Sequence, residues 1–163
     1  MGTQPANSQL SSIALDPTSR FLYLAQAGTG QILGYTVDAT SGSLTPMPGT
    51  PLNTPSVFTS SIALNPSGTF LFALGSSEIA SYLIDSKSGL PTMNIEWTLT
   101  PQTNCYITPP IVVDPTGFYA YTAGMCVFLI NQSTGHLTLV TPTGINTPDG
   151  DGAPSSIAIA KAQ

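Results

Sequence analysis

The chain has 163 residues, of which 41% are hydrophobic and 7% charged, with 15 glycines and 15 prolines. It is too apolar for a disordered chain, yet it contains no run of the roughly 18 apolar residues that a membrane helix needs. The net charge of −5 includes only three scattered cations, too few to cover a phosphate backbone, so we expect neither a nucleic acid nor a membrane as partner.

The first predicted strands lie in the stretch "SSIALDPTSRFLYLA", which begins at Ser11. "SIALD" reads as a strand that ends at Pro17, "PTSR" as a turn, and "FLYLA" as a second strand with apolar side chains on both faces. "ILGYTV" follows as a third strand, and a glycine-containing hairpin leads to a weaker fourth strand near Leu44. The stretch therefore predicts one unit of four hairpin-linked strands.

Nearly the same order returns twice, in "SSIALNPSGTFLFAL" from Ser60 and "PPIVVDPTGFYAYTA" from Pro109. The isoleucines Ile13, Ile62 and Ile111 lie 49 residues apart, and a partial copy, "SSIAIA", begins at Ser155. Spacing of this length is typical of solenoids, propellers or arrays. We place the units at residues 11–54, 60–103 and 109–147, with fourth strands at 92–97 and 137–140 in the later two and an extra strand at 155–161.

Four consecutive strands with apolar residues on both faces are typical of a β-propeller blade, whereas a β-sandwich would have one polar face per sheet. The predicted fold class is therefore all-β, with three four-stranded antiparallel blades plus one extra strand. The two end blades would each leave an apolar face of about 300 Å² open. We expect a homo-oligomer, most simply a dimer, to complete the ring.

The loops that lead into each first strand, here called lead-in loops, are predicted to meet at one mouth of the ring. In the loop at residues 146–156, Asp149 and Asp151 stand on a glycine-rich turn beside Asn146. Such oxygen ligands suit Ca²⁺ or Mg²⁺. The alternative is a solvated Asp-Gly turn without a ligand.

Six other residues are candidates for lining a ligand at this mouth. Glu78 lies in a short loop before a third strand, and an exposed loop acid is its alternative interpretation. An apolar, partly aromatic lining for a small molecule is predicted from Phe58, Tyr106 and Met125, together with Thr59 and Thr108, although core or interface packing is the alternative for each.

Recurring polar residues are interpreted as structural, because chemistry usually breaks a repeat. Asp16 and Asp114, with Asn65 between them, end the first strands and are predicted to cap turns, as are Asp38 and Asp85 after the third strands. The single histidine, His136, falls in an outer hairpin away from the mouth. No Ser-His-Asp arrangement is therefore predicted.

Two cysteines, Cys105 and Cys126, fit no metal-binding spacing and are either a disulfide or two buried thiols. The first residues, "MGTQPANSQ", contain no basic and apolar leader. We expect a soluble protein and leave its compartment open, a periplasmic or secreted parent protein being one alternative.

The turn Pro-Ser/Thr-Gly, the strands "FLYLAQ", "FLFALG" and "YAYTAG", and the pattern "SG-x-L-T" resemble the lactonase-type propellers, related to 6-phosphogluconolactonase and to YVTN-repeat proteins. The resemblance implies three blades of a ring that normally has about seven. It also implies His or Arg in the lead-in loops, where this chain has Phe58, Thr59, Tyr106 and Thr108.

The expected function is hydrolysis of a lactone, ester or phosphoester, with Asp149 and Asp151 as catalytic and metal-binding residues. The alternative is a non-catalytic binding or scaffold module.

Overall fold

The computed structural model describes residues 9–56, 58–76, 78–98, 107–124 and 126–140. In these ranges the chain forms 13 β-strands and no helix. The bounds are β1 (Gln9–Leu15), β2 (Phe21–Ala27), β3 (Gln31–Val37), β4 (Leu44–Pro46), β5 (Leu52–Asn53), β6 (Ser61–Leu64), β7 (Phe70–Leu74), β8 (Glu78–Ile84), β9 (Pro91–Thr98), β10 (Ile111–Val113), β11 (Tyr119–Thr122), β12 (Val127–Ile130) and β13 (Leu137–Val140).

Consecutive strands pair as antiparallel neighbours in three sheets, in the orders β1-β2-β3-β4, β6-β7-β8-β9 and β10-β11-β12-β13. We call these sheets blades 1, 2 and 3. The predicted all-β fold with four-stranded antiparallel blades is confirmed. Strand β5, which pairs with β3 in blade 1, was not predicted. Because β6 contacts both β1 and β10, the first strands lie side by side, and the blades form an open arc, not a closed ring.

A side-chain cap closes the first turn of every blade. The Asp or Asn that ends each first strand places its Oδ1 to accept the backbone N–H five residues later, which lets the chain reverse sharply into the second strand. The predicted capping role is confirmed by three bonds: Phe21 to Asp16 at 2.7 Å, Phe70 to Asn65 at 2.9 Å and Tyr119 to Asp114 at 2.9 Å.

The hairpins after the third strands are capped in a similar way. Here an Oδ1 accepts the backbone N–H three residues later: Ser41 to Asp38 at 2.7 Å, Ser88 to Asp85 at 2.7 Å and Thr134 to Asn131 at 3.0 Å. The predicted structural role of Asp38 and Asp85 is thus confirmed as well.

Two hydrophobic layers hold the blades together, because alternate side chains of each strand point to opposite faces. Blade 2 contributes to both layers, through Leu71 and Ala73 toward blade 1 and through Phe70 and Phe72 toward blade 3. The first layer contains Phe21, Tyr23, Ala25, Ile32, Met47, Ile62, Leu71, Ala73, Ala80, Tyr82 and Ile84. The second contains Phe70, Phe72, Leu74, Ile79, Ile107, Ile111, Ala120, Cys126, Phe128, Ile130 and Leu137.

The outer faces of blades 1 and 3 carry apolar side chains that no other described blade covers. On blade 1, Ile13 pairs across the sheet with Leu24 and Leu15 with Leu22, and the two β1 side chains are 63% and 50% exposed. On blade 3, Tyr119 pairs with Leu129, and both side chains are exposed. By strand register, the blade 1 face includes Ile13, Leu15, Leu22, Leu24, Leu33, Tyr35, Val37 and Leu44, and the blade 3 face includes Val112, Tyr119, Tyr121, Val127, Leu129 and Val140.

Cys126, fully buried in blade 3, is disulfide-bonded, and the sequence contains one other cysteine, Cys105, which lies outside the described residues. Of the two alternatives left open for these cysteines, the structure therefore shows the disulfide. Within the described ranges, no helix has the length and hydropathy of a membrane span.

Candidate functional site

One end of the blades carries two kinds of loop: the lead-in loops before β6 and β10, and the turns between second and third strands. Thr54 N, at the start of the first lead-in loop, donates to Gly30 O in the β2–β3 turn at 2.7 Å. In blade 3, Ala123 N donates at 3.1 Å to Thr108 O in the second lead-in loop. The first bond joins the lead-in loop of blade 2 to a turn of blade 1, and the second holds the lead-in loop of blade 3 against a turn of the same blade. The candidate site lies at this end of the blades.

Phe58 and Thr59 are neighbours in the first lead-in loop but have opposite surroundings. The Phe58 side chain is 56% exposed, whereas Thr59 is 1% exposed. Thr59 Oγ1 lies 2.6 Å from Thr54 Oγ1, and Thr59 O accepts a hydrogen bond from Ser11 Oγ of blade 1 at 2.8 Å. The buried threonine pair fixes the loop, and the phenylalanine ring is presented to solvent.

Thr108, in the second lead-in loop, buries its hydroxyl without a hydrogen-bond partner among the described residues. The hydroxyl of Thr122, at the end of β11 and next to Ala123, is likewise buried without a hydrogen-bond partner among the described residues. An unpaired buried hydroxyl costs on the order of 1–3 kcal/mol. A polar group that reached either hydroxyl would remove that cost, so this end of blade 3 favours a polar contact.

Glu78 begins β8 and brings a carboxylate to the same end of the blades. A Cβ atom built on Gly75 would overlap Glu78 Oε1 and would lie 2.6 Å from Ser56 Oγ. Gly75 N also donates to Glu78 O at 2.9 Å. Because Gly75 has no side chain, the Glu78 carboxylate and the Ser56 hydroxyl can both lie close to its Cα atom.

The sequence interpretation missed two buried polar residues at this end, Gln26 and Ser56. Gln26, at 5% exposed, accepts a hydrogen bond from Thr29 Oγ1 at 3.1 Å through its side-chain oxygen. Its position in blade 1 corresponds to Gly75 in blade 2. That break in the repeat was a usable signal for Gln26. Ser56 carried no such signal, because its role depends on where the loop folds.

Five predicted site residues, Asn146, Asp149, Asp151, Tyr106 and Met125, lie outside the described residues. In the part of the chain that is described, no group of three or more His, Cys, Asp or Glu side chains could hold a metal ion. The predicted cation site at Asp149 and Asp151 therefore stays a prediction.

The capping aspartates are electrostatically suited to scaffolding. Burial by itself would raise the pKa of Asp16, but hydrogen bonds from the Thr18 side chain and from the N–H groups of Phe21, Thr18 and Arg20 outweigh it and lower the pKa. A carboxyl with a lowered pKa is a poor proton donor at neutral pH. The same balance lowers the pKa of Asp114, and hydrogen bonds from Ser41 and Ser88 lower those of Asp38 and Asp85.

Comparison with known proteins matches the sequence to a family of β-propellers. The sequence pattern of the family described as "Lactonase, 7-bladed beta-propeller" matches residues 2–107. No curated protein matches the sequence.

Several solved structures resemble the chain at low sequence identity. A protein of Bacteroides fragilis assigned as 6-phosphogluconolactonase is 20% identical, with a TM-score of 0.69 over 82% of this chain and 38% of that chain. A similarly assigned protein of Bacteroides uniformis is 22% identical, with a TM-score of 0.66 over 83% and 40%. The periplasmic gluconolactonase of Pseudomonas aeruginosa is 17% identical, with a TM-score of 0.69 over 95% and 43%.

These likenesses show the fold alone. The chain spans about two fifths of the length of the three structures. It corresponds to an arc of their rings.

Proposed function

The chain belongs to the lactonase family of seven-bladed β-propellers, and from this premise we propose that it hydrolyses a lactone, an ester or a phosphoester. The reaction takes place at the end of the blades that carries the lead-in loops. The observation that supports this location is the fastening of those loops by the Thr54–Gly30 and Ala123–Thr108 hydrogen bonds. In this proposal, loops of successive blades line one concavity, because small-molecule sites usually form in concave places.

The proposed site combines a cation-binding loop with a mixed lining. Asp149, Asp151 and Asn146 supply oxygen ligands for Ca²⁺ or Mg²⁺. Such an ion, when bound, polarises a substrate oxygen and makes a bound water more acidic. The proposed lining consists of Phe58, Tyr106 and Met125 on the apolar side and Thr108 and Glu78 on the polar side, with the buried Thr59 supporting the loop behind it.

The described lining residues have distinct tasks in this proposal. The exposed ring of Phe58 covers the apolar part of the substrate and keeps water from it. Thr59 holds the lead-in loop through Thr54, and the Thr108 hydroxyl is a donor for a substrate oxygen. Glu78 accepts a hydrogen bond from a substrate hydroxyl beside Gly75.

Two further parts of the proposal concern assembly and location. A second copy of the 163-residue chain completes the arc, most simply as a dimer. The Cys126 disulfide favours an oxidising compartment, either the periplasm or the exterior of a cell, because cytosolic thiols are kept reduced.

A second candidate function is binding of a small apolar molecule without catalysis. The observation that favours it is the exposed ring of Phe58 beside a rigid, hydrogen-bonded threonine pair. A rigid loop that presents an aromatic ring suits recognition whether or not chemistry follows.

Turnover of chromogenic lactone, ester and phosphotriester substrates tests the proposal. We expect reproducible hydrolysis above a mock preparation, its loss in EDTA and its recovery with Ca²⁺ or Mg²⁺. Asp151→Ala should abolish the recovery, and Asp38→Asn, at the opposite end of the blades, should not. Activity that survives both EDTA and Asp151→Ala would show that the cation has no part in the reaction. Saturable ligand binding without turnover would support the second candidate.

A further inference from the structure

Neighbouring blades meet through a contact between a glycine and an aromatic ring, and this contact occurs twice. A Cβ atom built on Gly89 of blade 2 would overlap the Phe21 ring of blade 1. A Cβ atom built on Gly135 of blade 3 would lie 2.5 Å from the Phe70 ring of blade 2. At both junctions, a hairpin glycine of one blade packs against an aromatic ring of the preceding blade. That ring belongs to the first residue of the preceding blade's second strand.

A second contact between blades also occurs twice. Gly68 of blade 2 is packed on Pro17 of blade 1, where an added Cβ would be 3.1 Å from the proline ring. Gly117 of blade 3 is packed on Pro66 of blade 2, with the corresponding distance 3.2 Å. Both the glycine–ring contact and the glycine–proline contact are therefore repeated at the two junctions, so the two pairs of blades pack in the same register.

Each end of the arc presents one unmatched half of the glycine–ring contact. Tyr119 of blade 3 stands at the position of Phe21 and Phe70, and its side chain is 39% exposed. Gly42 of blade 1 stands at the position of Gly89 and Gly135, with a φ of +71°, and an added Cβ there would meet nothing within 4 Å. The ring and the glycine are complementary, but they lie at opposite ends of the described blades.

We propose that blade 1 of a second copy docks on blade 3 in the register of the two internal junctions, with Gly42 of that copy lying on Tyr119. This inference deepens the proposed function, because it rests on the dimeric ring proposed there and specifies its interface. The two open faces named above contain no charged side chain, so their contact leaves no buried ion without a partner.

The size of the faces is consistent with a second copy as the partner. Two junctions in a closed pair bury four faces of about 300 Å² each, a total of roughly 1,200 Å², which reaches the lower limit of stable interfaces. A closed pair contains six described blades, one fewer than the seven of the family, and propellers are built from about four to eight blades.

One contact of the internal junctions is not reproduced at the new one. Ile62 N donates to Ser12 Oγ and Ile111 N donates to Ser61 Oγ, both at 3.1 Å. The corresponding position of blade 3 is Pro110, which has no hydroxyl. The proposed junction therefore depends on apolar packing and on the Tyr119–Gly42 contact.

Sedimentation equilibrium of the 163-residue chain from about 1 to 100 µM tests the interface. We expect a species of twice 16.9 kDa for the unmodified chain. Tyr119→Asp and Ile13→Asp, each on a different open face, should weaken association by at least about 100-fold. Leu83→Asp is the matched control, because Leu83 is 49% exposed on blade 2 but lies on neither open face.

An equimolar mixture of Tyr119→Asp and Ile13→Asp separates this interface from a symmetric contact. In a mixed pair, one junction carries both substitutions and the other carries neither, so the two-chain species should partly return. A single-chain mass for the unmodified protein, equal dissociation by Leu83→Asp, or no recovery in the mixture would overturn the proposal. Circular dichroism and thermal melting of each variant show whether it is folded.

The interface proposal and the hydrolase proposal can be rejected independently of each other. A two-chain mass without turnover of any substrate leaves the interface in place and removes the hydrolase proposal. Turnover by a folded single-chain species removes the interface and leaves the hydrolase proposal in place.

Discussion

The middle blade and the outer blades have similar sequences but different surroundings. Every residue of β7 in blade 2 is buried, whereas β2 in blade 1, with nearly the same sequence, contains both buried and half-buried side chains. Leu71 is fully buried, and the corresponding Leu22 is only half-buried. In this protein the burial of a strand is therefore decided by whether a neighbouring blade covers it, more than by the sequence of the strand.

The largest expected difference between blades is in aromatic core residues. Phe72→Ala in blade 2 should lower the free energy of unfolding by about 3–5 kcal/mol, because the ring is fully buried and leaves a cavity. Tyr121→Ala, at the corresponding position of blade 3, should cost about 1 kcal/mol, because that ring lies on an open face. Urea unfolding in the Ile13→Asp background, which keeps the chain single, measures both. Equal costs would contradict the comparison.

Glycine substitutions sharpen the comparison at the junctions. Gly135→Ala should cost about 2–4 kcal/mol, because its φ of +68° strains any side chain and its Cβ would clash with the Phe70 ring. Gly42→Ala has nearly the same φ but no neighbour, so only the backbone strain of about 1 kcal/mol remains in the single chain. The midpoints of urea unfolding of the two variants, measured in the Ile13→Asp background, should differ accordingly, and identical midpoints would mean that the glycine–ring contact is not tight.

The serine contacts between first strands give a smaller effect. Ser61→Ala leaves the N–H of Ile111 without its acceptor in a buried layer, which should cost about 1–3 kcal/mol. Ser12→Ala removes the acceptor of Ile62, but water reaches the half-buried Ser12 position of blade 1, so we expect less than about 1 kcal/mol. Thermal unfolding of both variants checks the order, and a larger loss for Ser12→Ala would reverse our interpretation.

How much the sequence could predict depended on whether a feature was local. The strand order followed from alternation and from turn residues such as Pro17 and Gly68, because both act within a few residues. The caps at Asp16 and Asn65 were predictable for the same reason.

Features that depend on contacts between loops or blades could not be predicted in this way. Strand β5, the burial of Thr59 and the approach of Glu78 to Ser56 all depend on where a lead-in loop settles against its neighbours. The same limit applies to the candidate cation ligands Asp149 and Asp151, because a metal site requires side-chain oxygens that meet in space, and spacing along the sequence does not show whether they do.

The smallest expected effect is the pH dependence of the turn caps, which also separates the blades. The pKa values of Asp16 and Asp114 are lowered in the folded chain, so their stabilisation is complete above the ordinary Asp pKa of about 4 and is lost as the pH falls through the folded values. The first turn of blade 2 has Asn65 at this position, which does not titrate, whereas the hairpin aspartates Asp38 and Asp85, whose pKa values are also lowered, add a dependence of the same sign to blades 1 and 2. Replacing both aspartates by asparagine should flatten the acid limb of a plot of stability against pH, and an unchanged limb would assign the acid sensitivity to other groups.

Amide hydrogen exchange at two protein concentrations tests the central claim, that each blade is held by its neighbours and that a second copy covers the open faces. At low concentration, the account predicts the slowest exchange in β7 and β8 and faster exchange in β2, β3, β11 and β12. At high concentration, the outer strands should become more protected and approach the middle blade. Uniform protection across the blades, or a pattern that does not change with concentration, would contradict the account.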